Sequence, residues 1–166
     1  AGDFTIYAAI KAGSKGKVIA FEPDVTSYAM LCANIRLNRL TNVVVLKKGL
    51  WSADGQLSIT GTAFASQLSA DSHKYPTQVP VCSLDNELGR MGIDRADFIK
   101  MDIEGAELDA LEGMGLTMEQ KPYLAIASYH LKDGVRTSAL IEPLLRKKGY
   151  RVVTENPEHL TTFGLR

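Results

Sequence analysis

The sequence predicts an α/β protein built on a doubly wound, largely parallel sheet. Three observations lead there. Short continuous apolar runs recur along the chain, segments with helical spacing separate them, and acidic residues stand where the runs end. Runs without period-two alternation suit strands covered on both faces, as in parallel sheets. Strand, helix, strand order implies right-handed crossover units.

The chain opens on a helical pattern. Gly2-Asp3-Phe4-Thr5 leads straight into it, with Phe4, Tyr7 and Ala8 on one face and Gly13 as its stop. A doubly wound fold would open with a strand and a glycine-rich turn. Gly2 therefore reads as the last glycine of such a turn, and residues 1–166 as one domain truncated at its N-terminus. Val18-Ile19-Ala20-Phe21 is the first apolar run. Val25, Tyr28, Ala29, Cys32 and Ile35 then share a helical face, with Asp24 as the N-cap. Val43 to Leu46, Asp97 to Met101 and Tyr123 to Ala127 are further strands. Leu140, Ile141, Leu144 and Leu145 form a helical stripe that Gly149 ends.

Two regions interrupt this alternation. Asp54-Gly55 is a turn signal between short apolar segments, so Leu50 to Ile59 reads as a hairpin-like excursion. Gly61 to Thr77 is rich in Ser, Ala and Thr and reads as a long loop, the kind that serves as a lid or substrate-binding element.

Composition limits the function. Lys plus Arg and Asp plus Glu both number 19, so the net charge is zero, which argues against nucleic acid or an anionic membrane as the main partner. No apolar run approaches the ~20 residues of a membrane span, and no signal peptide is visible, so a cytoplasmic location is expected. Cys32 and Cys82 read as buried free thiols, since neither belongs to a C-x-x-C or a Cys/His cluster.

Candidate chemistry concentrates at Lys100-Met101-Asp102-Ile103-Glu104-Gly105-Ala106-Glu107. Three carboxylates there crowd a strand-to-helix junction, where open α/β sheets bind ligands. Asp102 and Glu104 share a side if strand geometry continues. Glu104 and Glu107 share a face if the helix has begun. Asp102 is the preferred functional residue, although a helix N-cap would be its structural role. Glu104 and Glu107 also suit the first turn of a helix through its dipole. His130 follows the Tyr123–Tyr129 run and would reach the same crevice as a general base. His73, in the loop, and His159 have no constellation around them. Asp85 reads as a helix cap and Trp51 as a packing residue. A metal is left out, because no further Asp/Asn pairing supports one.

Glu22 ends the Val18–Phe21 run, precedes Pro23 and lies 20 positions after Gly2. An acidic residue so placed accepts hydrogen bonds from ribose hydroxyls, while proline starts the next helix. Nicotinamide dinucleotides and S-adenosylmethionine both carry such a ribose.

Taken together, these motifs have a family likeness. Gly2-Asp3-Phe4-Thr5, Val18 to Pro23, Leu31 and Asn34, Asn38, Asn42-Val43, Leu50-Trp51, Ser83-Leu84-Asp85 and Ile99 to Glu107 occur in an order that resembles the FkbM family of S-adenosylmethionine-dependent methyltransferases. The resemblance covers about residues 2 to 130. It implies a Rossmann-like methyltransferase sheet, here lacking its first strand. It also implies S-adenosylmethionine as cofactor and a small-molecule, sugar or lipid-like hydroxyl as methyl acceptor. Gly2 and Thr5 would border the methionine part of the cofactor, Glu22 and Pro23 the ribose, and Gly49 and Leu50 the adenine. Asp102 would face cofactor and acceptor, with Glu104 and His130 beside it as catalytic candidates. An NAD-dependent oxidoreductase and a non-catalytic cofactor-binding domain are the alternatives.

Overall fold

The computed structural model describes residues 1–60, 67–69 and 77–166. Most of the expected loop from Gly61 to Thr77, His73 included, lies outside the described residues. The chain divides into two compact units, Ala1–Gly49 with Gly55–Val81, and Leu50–Asp54 with Cys82–Arg166.

The first unit begins with α1 (Asp3–Ala12), β1 (Val18–Phe21), α2 (Val25–Leu37) and β2 (Val43–Leu46). β1 and β2 pair in parallel, Val18 opposite Val43 through Phe21 opposite Leu46, with α2 as the crossover. This is the predicted unit, but both strands are half-buried throughout. Among the described residues this sheet has two strands. The expected Asp24 cap is present, its carboxylate accepting from Ser27 N–H at 2.8 Å. The buried side of α2 differs from the expected one. It consists of Ser27, Leu31 and Ile35, and Val25 is exposed. In α1 only Ala9 is buried, while Phe4 and Tyr7 are exposed. Periodicity located both helices, but intermixed small and large residues left the buried side ambiguous. The motif asparagines act as backbone ties. Asn42 Nδ2 donates to the carbonyls of Ala9 and Gly13, both at 2.9 Å, and so closes the end of α1. Asn34 Nδ2 donates to Ala1 O at 2.9 Å, and Asn38 Nδ2 to Asn34 O at 2.8 Å.

β3 (Gly49–Leu50) follows, then β4 (Gly55–Thr60), β5 (Gln67–Ser69) and β6 (Gln78–Cys82). β4 pairs antiparallel with both β5 and β6. The expected hairpin over Leu50 to Ile59 does not form, because β6 takes the place beside β4 and the strand order is β3-β6-β4-β5. A turn signal cannot reveal a later strand that pairs better.

The second unit holds α3 (Leu84–Arg90), β7 (Phe98–Met101), α4 (Glu107–Glu112), α5 (Gly115–Glu119), β8 (Tyr123–Ala127), β9 (Leu131–Lys132), β10 (Val135–Arg136), α6 (Thr137–Lys147), β11 (Arg151–Glu155) and β12 (Thr161–Leu165). Its sheet runs β11-β12-β8-β7, parallel between β7 and β8 and antiparallel elsewhere. The sheet is thus mixed, within the predicted α/β class. Met101, Met114, Met118, Leu124, Ile126, Ile141 and Leu145 form its buried core. The α6 stripe is corrected in part: Ile141 and Leu145 are buried but Leu140 is exposed. Ser83, not Asp85, caps α3, accepting from Asn86 N–H at 3.3 Å. Asp85 caps α5 instead, accepting from Leu116 N–H, Thr117 N–H and the Thr117 hydroxyl at 2.8, 2.9 and 2.6 Å. Cys82 is buried and Cys32 half-buried, and neither forms a disulfide. No described helix is long and apolar enough to cross a membrane.

Gly113 shows how closely this unit packs. A Cβ there would overlap the Trp51 carbonyl oxygen and stand 3.0 Å from Ser83 Cβ. The obstacle is backbone and cannot rotate away. Gly113→Ala is expected to cost about 2–3 kcal/mol by overpacking, read as a lower urea midpoint. An unchanged midpoint would show that the Trp51 segment gives way freely.

Candidate functional site

The candidate site is built where β7 ends. Met101 is buried, and α4 does not begin until Glu107. Between them Asp102 to Ala106 form a turn, so neither regular geometry expected for the carboxylates applies. Glu104 and Gly105 both have left-handed backbone, φ 56° and 98°. That conformation costs a non-glycine residue about 1–2 kcal/mol. Glu104 adopts it and brings Oε2 to 3.4 Å from His130 Nε2. Ala106, not Asp102, occupies the N-cap of α4 and supplies no side-chain cap. Asp102 is thereby freed from the structural role open to it.

Glu107 is the first residue of α4, as a dipole role would require, yet it is fully buried. Its Oε1 accepts from Ile103 N–H at 3.1 Å and Gly105 N–H at 3.4 Å, holding the turn in shape. The same oxygen lies 3.1 Å from His130 Nδ1. His130 therefore stands between two carboxylates, with only 8% of its side chain exposed. Neither ring nitrogen of His130 makes a hydrogen bond, and Glu107 Oε2 also lacks a hydrogen-bond partner.

His130 reaches this position because the chain beyond β8 is pinned. Ser128 N–H donates to Leu160 O at 2.7 Å, and Thr137 N–H to His130 O at 2.9 Å. The β9–β10 hairpin that follows turns on Asp133 and Gly134, at φ 52° and 78°. Two positive φ values suit the right-handed strand twist of a tight hairpin.

Asp102 is held from two sides. The Tyr129 hydroxyl donates to Oδ1 at 3.1 Å, and Lys100 Nζ lies 3.2 Å from Oδ2. Burial, then the Asp102 charge, pushes the Tyr129 hydroxyl up to about 12, so it remains a donor near neutral pH. The Tyr129 ring lies 4.2 Å from His130 and meets His159 edge-on at 5.6 Å. Tyr129, Lys100 and the buried role of Glu107 were not anticipated. Strand period two places Lys100 on the side of Asp102, and Tyr129 adjoins His130. His159 gains a neighbour that its sequence surroundings did not suggest.

The remaining expected residues are placed as follows. Gly2 precedes α1 at φ 88°, and a Cβ there would collide with the Leu31 side chain. Thr5 lies within α1. Glu22 follows β1, half-buried, with Pro23 next to it. Its Oε1 accepts from Asp24 N–H at 2.9 Å. Burial pushes the Glu22 carboxyl above its usual value of 4.5, the Asp24 N–H opposing and the Asp24 charge adding. Gly49 packs against Leu68 and Val81, and Leu50 is buried in the second unit. The structure thus brings together Asp102, Glu104 and His130, all of the second unit, while Gly2, Thr5, Glu22, Pro23 and Gly49 belong to the first.

Comparison with known proteins decides the family. The family model described as "Methyltransferase FkbM domain" matches residues 1–152. The chain belongs to the FkbM methyltransferase family. Among its relatives, "Methyltransferase 1" of Beauveria bassiana is 27% identical over 95% of the chain and 71% of the relative. "Methyltransferase sdnD" of Sordaria araneosa is 26% identical over 95% of the chain and 73% of that protein. "Hexuronic acid methyltransferase AglP" of Haloferax volcanii is 26% identical over 68% of the chain and 47% of that protein. The crystal structure of "Methyltransferase FkbM" from Methylobacillus flagellatus KT superposes with a TM-score of 0.66 at 23% identity. That match covers 98% of this chain but 40% of the solved one, and it supports the Rossmann-like α/β fold.

Proposed function

We propose that this FkbM-family methyltransferase domain uses S-adenosylmethionine to methylate a hydroxyl oxygen of a small molecule, a sugar or a lipid-like metabolite. The observation that carries the reading is the strand-end cluster of Asp102, Glu104 and His130, whose ligand atoms lie within 4.8 Å of one another. Strand ends of this kind are where α/β sheets place reacting groups. S-adenosylmethionine, when bound, supplies a methyl group on a sulfonium sulfur. The acceptor needs an oxygen held in line with that methyl and a route for its proton. Asp102 and Glu104 can accept a hydrogen bond from the hydroxyl. Tyr129 and Lys100 hold Asp102, and Glu107 lies behind His130. The relative named as a hexuronic acid methyltransferase favours a sugar-like acceptor.

Glu22 fits the ribose role in this chain. Asp24 engages Oε1, and a carboxylate retains further lone pairs for two vicinal hydroxyls. Gly2 with Thr5 would border the methionine part, Pro23 the ribose, and Gly49 and Leu50 the adenine. The family assignment favours this donor over a nicotinamide dinucleotide. Transfer of labelled methyl from S-adenosylmethionine to a panel of uronic acid glycosides tests the reading. Tight binding with no transfer to any hydroxyl acceptor would leave the non-catalytic alternative.

Glu22→Gln is expected to weaken S-adenosylmethionine binding by about 1.5–3 kcal/mol, the scale of a hydrogen bond to a charged group. Calorimetry reads this, and an unchanged affinity would remove Glu22 from the site. The same change should not lower stability at neutral pH. The folded carboxyl titrates above 4.5, so the folded state holds its proton more tightly than the unfolded chain. Glu22 then costs stability as pH rises from about 4.5 through its folded value, and Gln avoids this cost. The variant's gain in melting temperature should appear at pH 7 and vanish below about pH 4.

A further inference from the structure

We propose that Asp102, Glu104 and His130 form a binding site for one divalent first-row cation, with Mn²⁺ the best match. The inference stands on the geometry of the second unit and not on the methyl-transfer reading.

Three donors of the right kinds converge, two carboxylates and an imidazole, on atoms no more than 4.8 Å apart. Ligands about 2.1 Å from a six-coordinate cation stand roughly 3 Å apart when adjacent and roughly 4.2 Å when opposite. His130 Nε2 and Glu104 Oε2, at 3.4 Å, already stand near the adjacent spacing, and a pair at the full 4.8 Å would close by roughly 0.6 Å to stand opposite. The independent observation is the imidazole itself. The His130 side chain is 8% exposed, yet neither ring nitrogen makes a hydrogen bond. Buried ring nitrogens that make no hydrogen bond are costly, the nearby carboxylates standing outside that geometry, and a cation at Nε2 would remove that cost there.

The surroundings of the ring have the form of a metal ligand's support. Ligating histidines commonly give their second ring N–H to a carboxylate, which fixes the tautomer and the ring orientation. Glu107 Oε1, 3.1 Å from Nδ1 and anchored by two backbone N–H groups, is placed to receive it after a small ring rotation. Nε2 then faces Glu104, 3.4 Å away. Charge points the same way, because Asp102, Glu104 and Glu107 bring three carboxylates and Lys100 one ammonium. Asp102 Oδ1 retains a lone pair beyond the one used by Tyr129. Two oxygen ligands with one imidazole suit Mn²⁺ better than Mg²⁺, which prefers oxygen alone, or structural Zn²⁺, which prefers Cys and His. Three protein ligands leave positions open for water or a hydroxyl, whose acidity the cation would raise.

Titrating the 166-residue chain with Mn²⁺ alone, without donor or acceptor, tests this by electron paramagnetic resonance. The expected result is loss of the free-ion signal at one equivalent, with ¹⁴N modulation from a coordinated imidazole in the pulsed spectrum. Glu104→Gln and His130→Gln should each weaken binding at least about 10-fold, and the ¹⁴N modulation should vanish in His130→Gln. Circular dichroism checks that the variants are folded, and the wild-type nitrogen signal remains decisive if one is not. No stoichiometric binding, no ¹⁴N coupling, or equal binding by a folded His130→Gln would overturn the site. Cation binding with no methyl transfer would instead sink the proposed activity and leave the site standing.

Discussion

Asp102→Asn is expected to lower kcat by about 10²- to 10⁴-fold, the usual worth of a positioned proton-transfer group. Its unfolding free energy should stay within about 1 kcal/mol of wild type, because the pairs it makes are partly exposed. The substitution keeps the shape of the side chain and an oxygen for the Tyr129 hydroxyl, but removes the negative charge beside Lys100. Asp102 does not cap α4, so no helix end loses its partner. A structural Asp102 would show the reverse pattern, with stability falling and turnover intact. Steady-state kinetics paired with a urea titration separates the two. Wild-type turnover in the variant would take Asp102 out of the reaction.

Glu107→Ala should be the most destabilising change in the site, at about 3 kcal/mol. The carboxylate is fully buried and serves the N–H groups of Ile103 and Gly105. Hydrogen bonds to a buried charge are worth about 1.5–3 kcal/mol each, and the stranded donors add a desolvation cost. The two bonds span the left-handed residues Glu104 and Gly105. Without them the turn relaxes and Glu104 moves away from His130, so activity should fall along with stability. Glu107→Gln keeps an oxygen for the N–H groups and should recover most of the stability but not the activity. Chemical denaturation of both variants checks this, and an Ala variant as stable as the Gln variant would mean that the turn holds its own shape.

The two substitutions differ because two neighbouring acids received different tasks. The sequence shows three carboxylates in a row and offers two periodicities for them. Strand period would pair Asp102 with Glu104, and helix period would pair Glu104 with Glu107. The structure uses neither. A turn with two left-handed residues presents Asp102 and Glu104 to one side and buries Glu107 behind them. Gly105 announced a tight turn, but Glu104 at φ 56° had no local signal, since glutamate rarely adopts that backbone.

His130 illustrates a second kind of gap. Its position at a strand end was legible from the apolar run before it. Its contact with Glu107 depends on the parallel pairing of β7 with β8, Met101 opposite Ile126, which brings two strand ends distant in sequence side by side. Helix faces were misjudged where propensity and spacing allow several buried sides, as in α1 and α2. The hairpin expected at Asp54-Gly55 was displaced by β6, a competitor more than 20 residues away in the sequence.

The sequence by itself determined the fold class, most strand and helix positions and the family likeness. Each of these rests on local patterns: apolar runs, helical spacing, caps, and motifs in order. Only the tertiary structure decided which acid faces outward, which is buried, and that His130 stands between Glu104 and Glu107 without hydrogen-bonding either. The physical reason is that burial and pairing are properties of the space around a side chain. Long-range strand pairing and a strained turn create that space, and neither is written in the residues nearest to it.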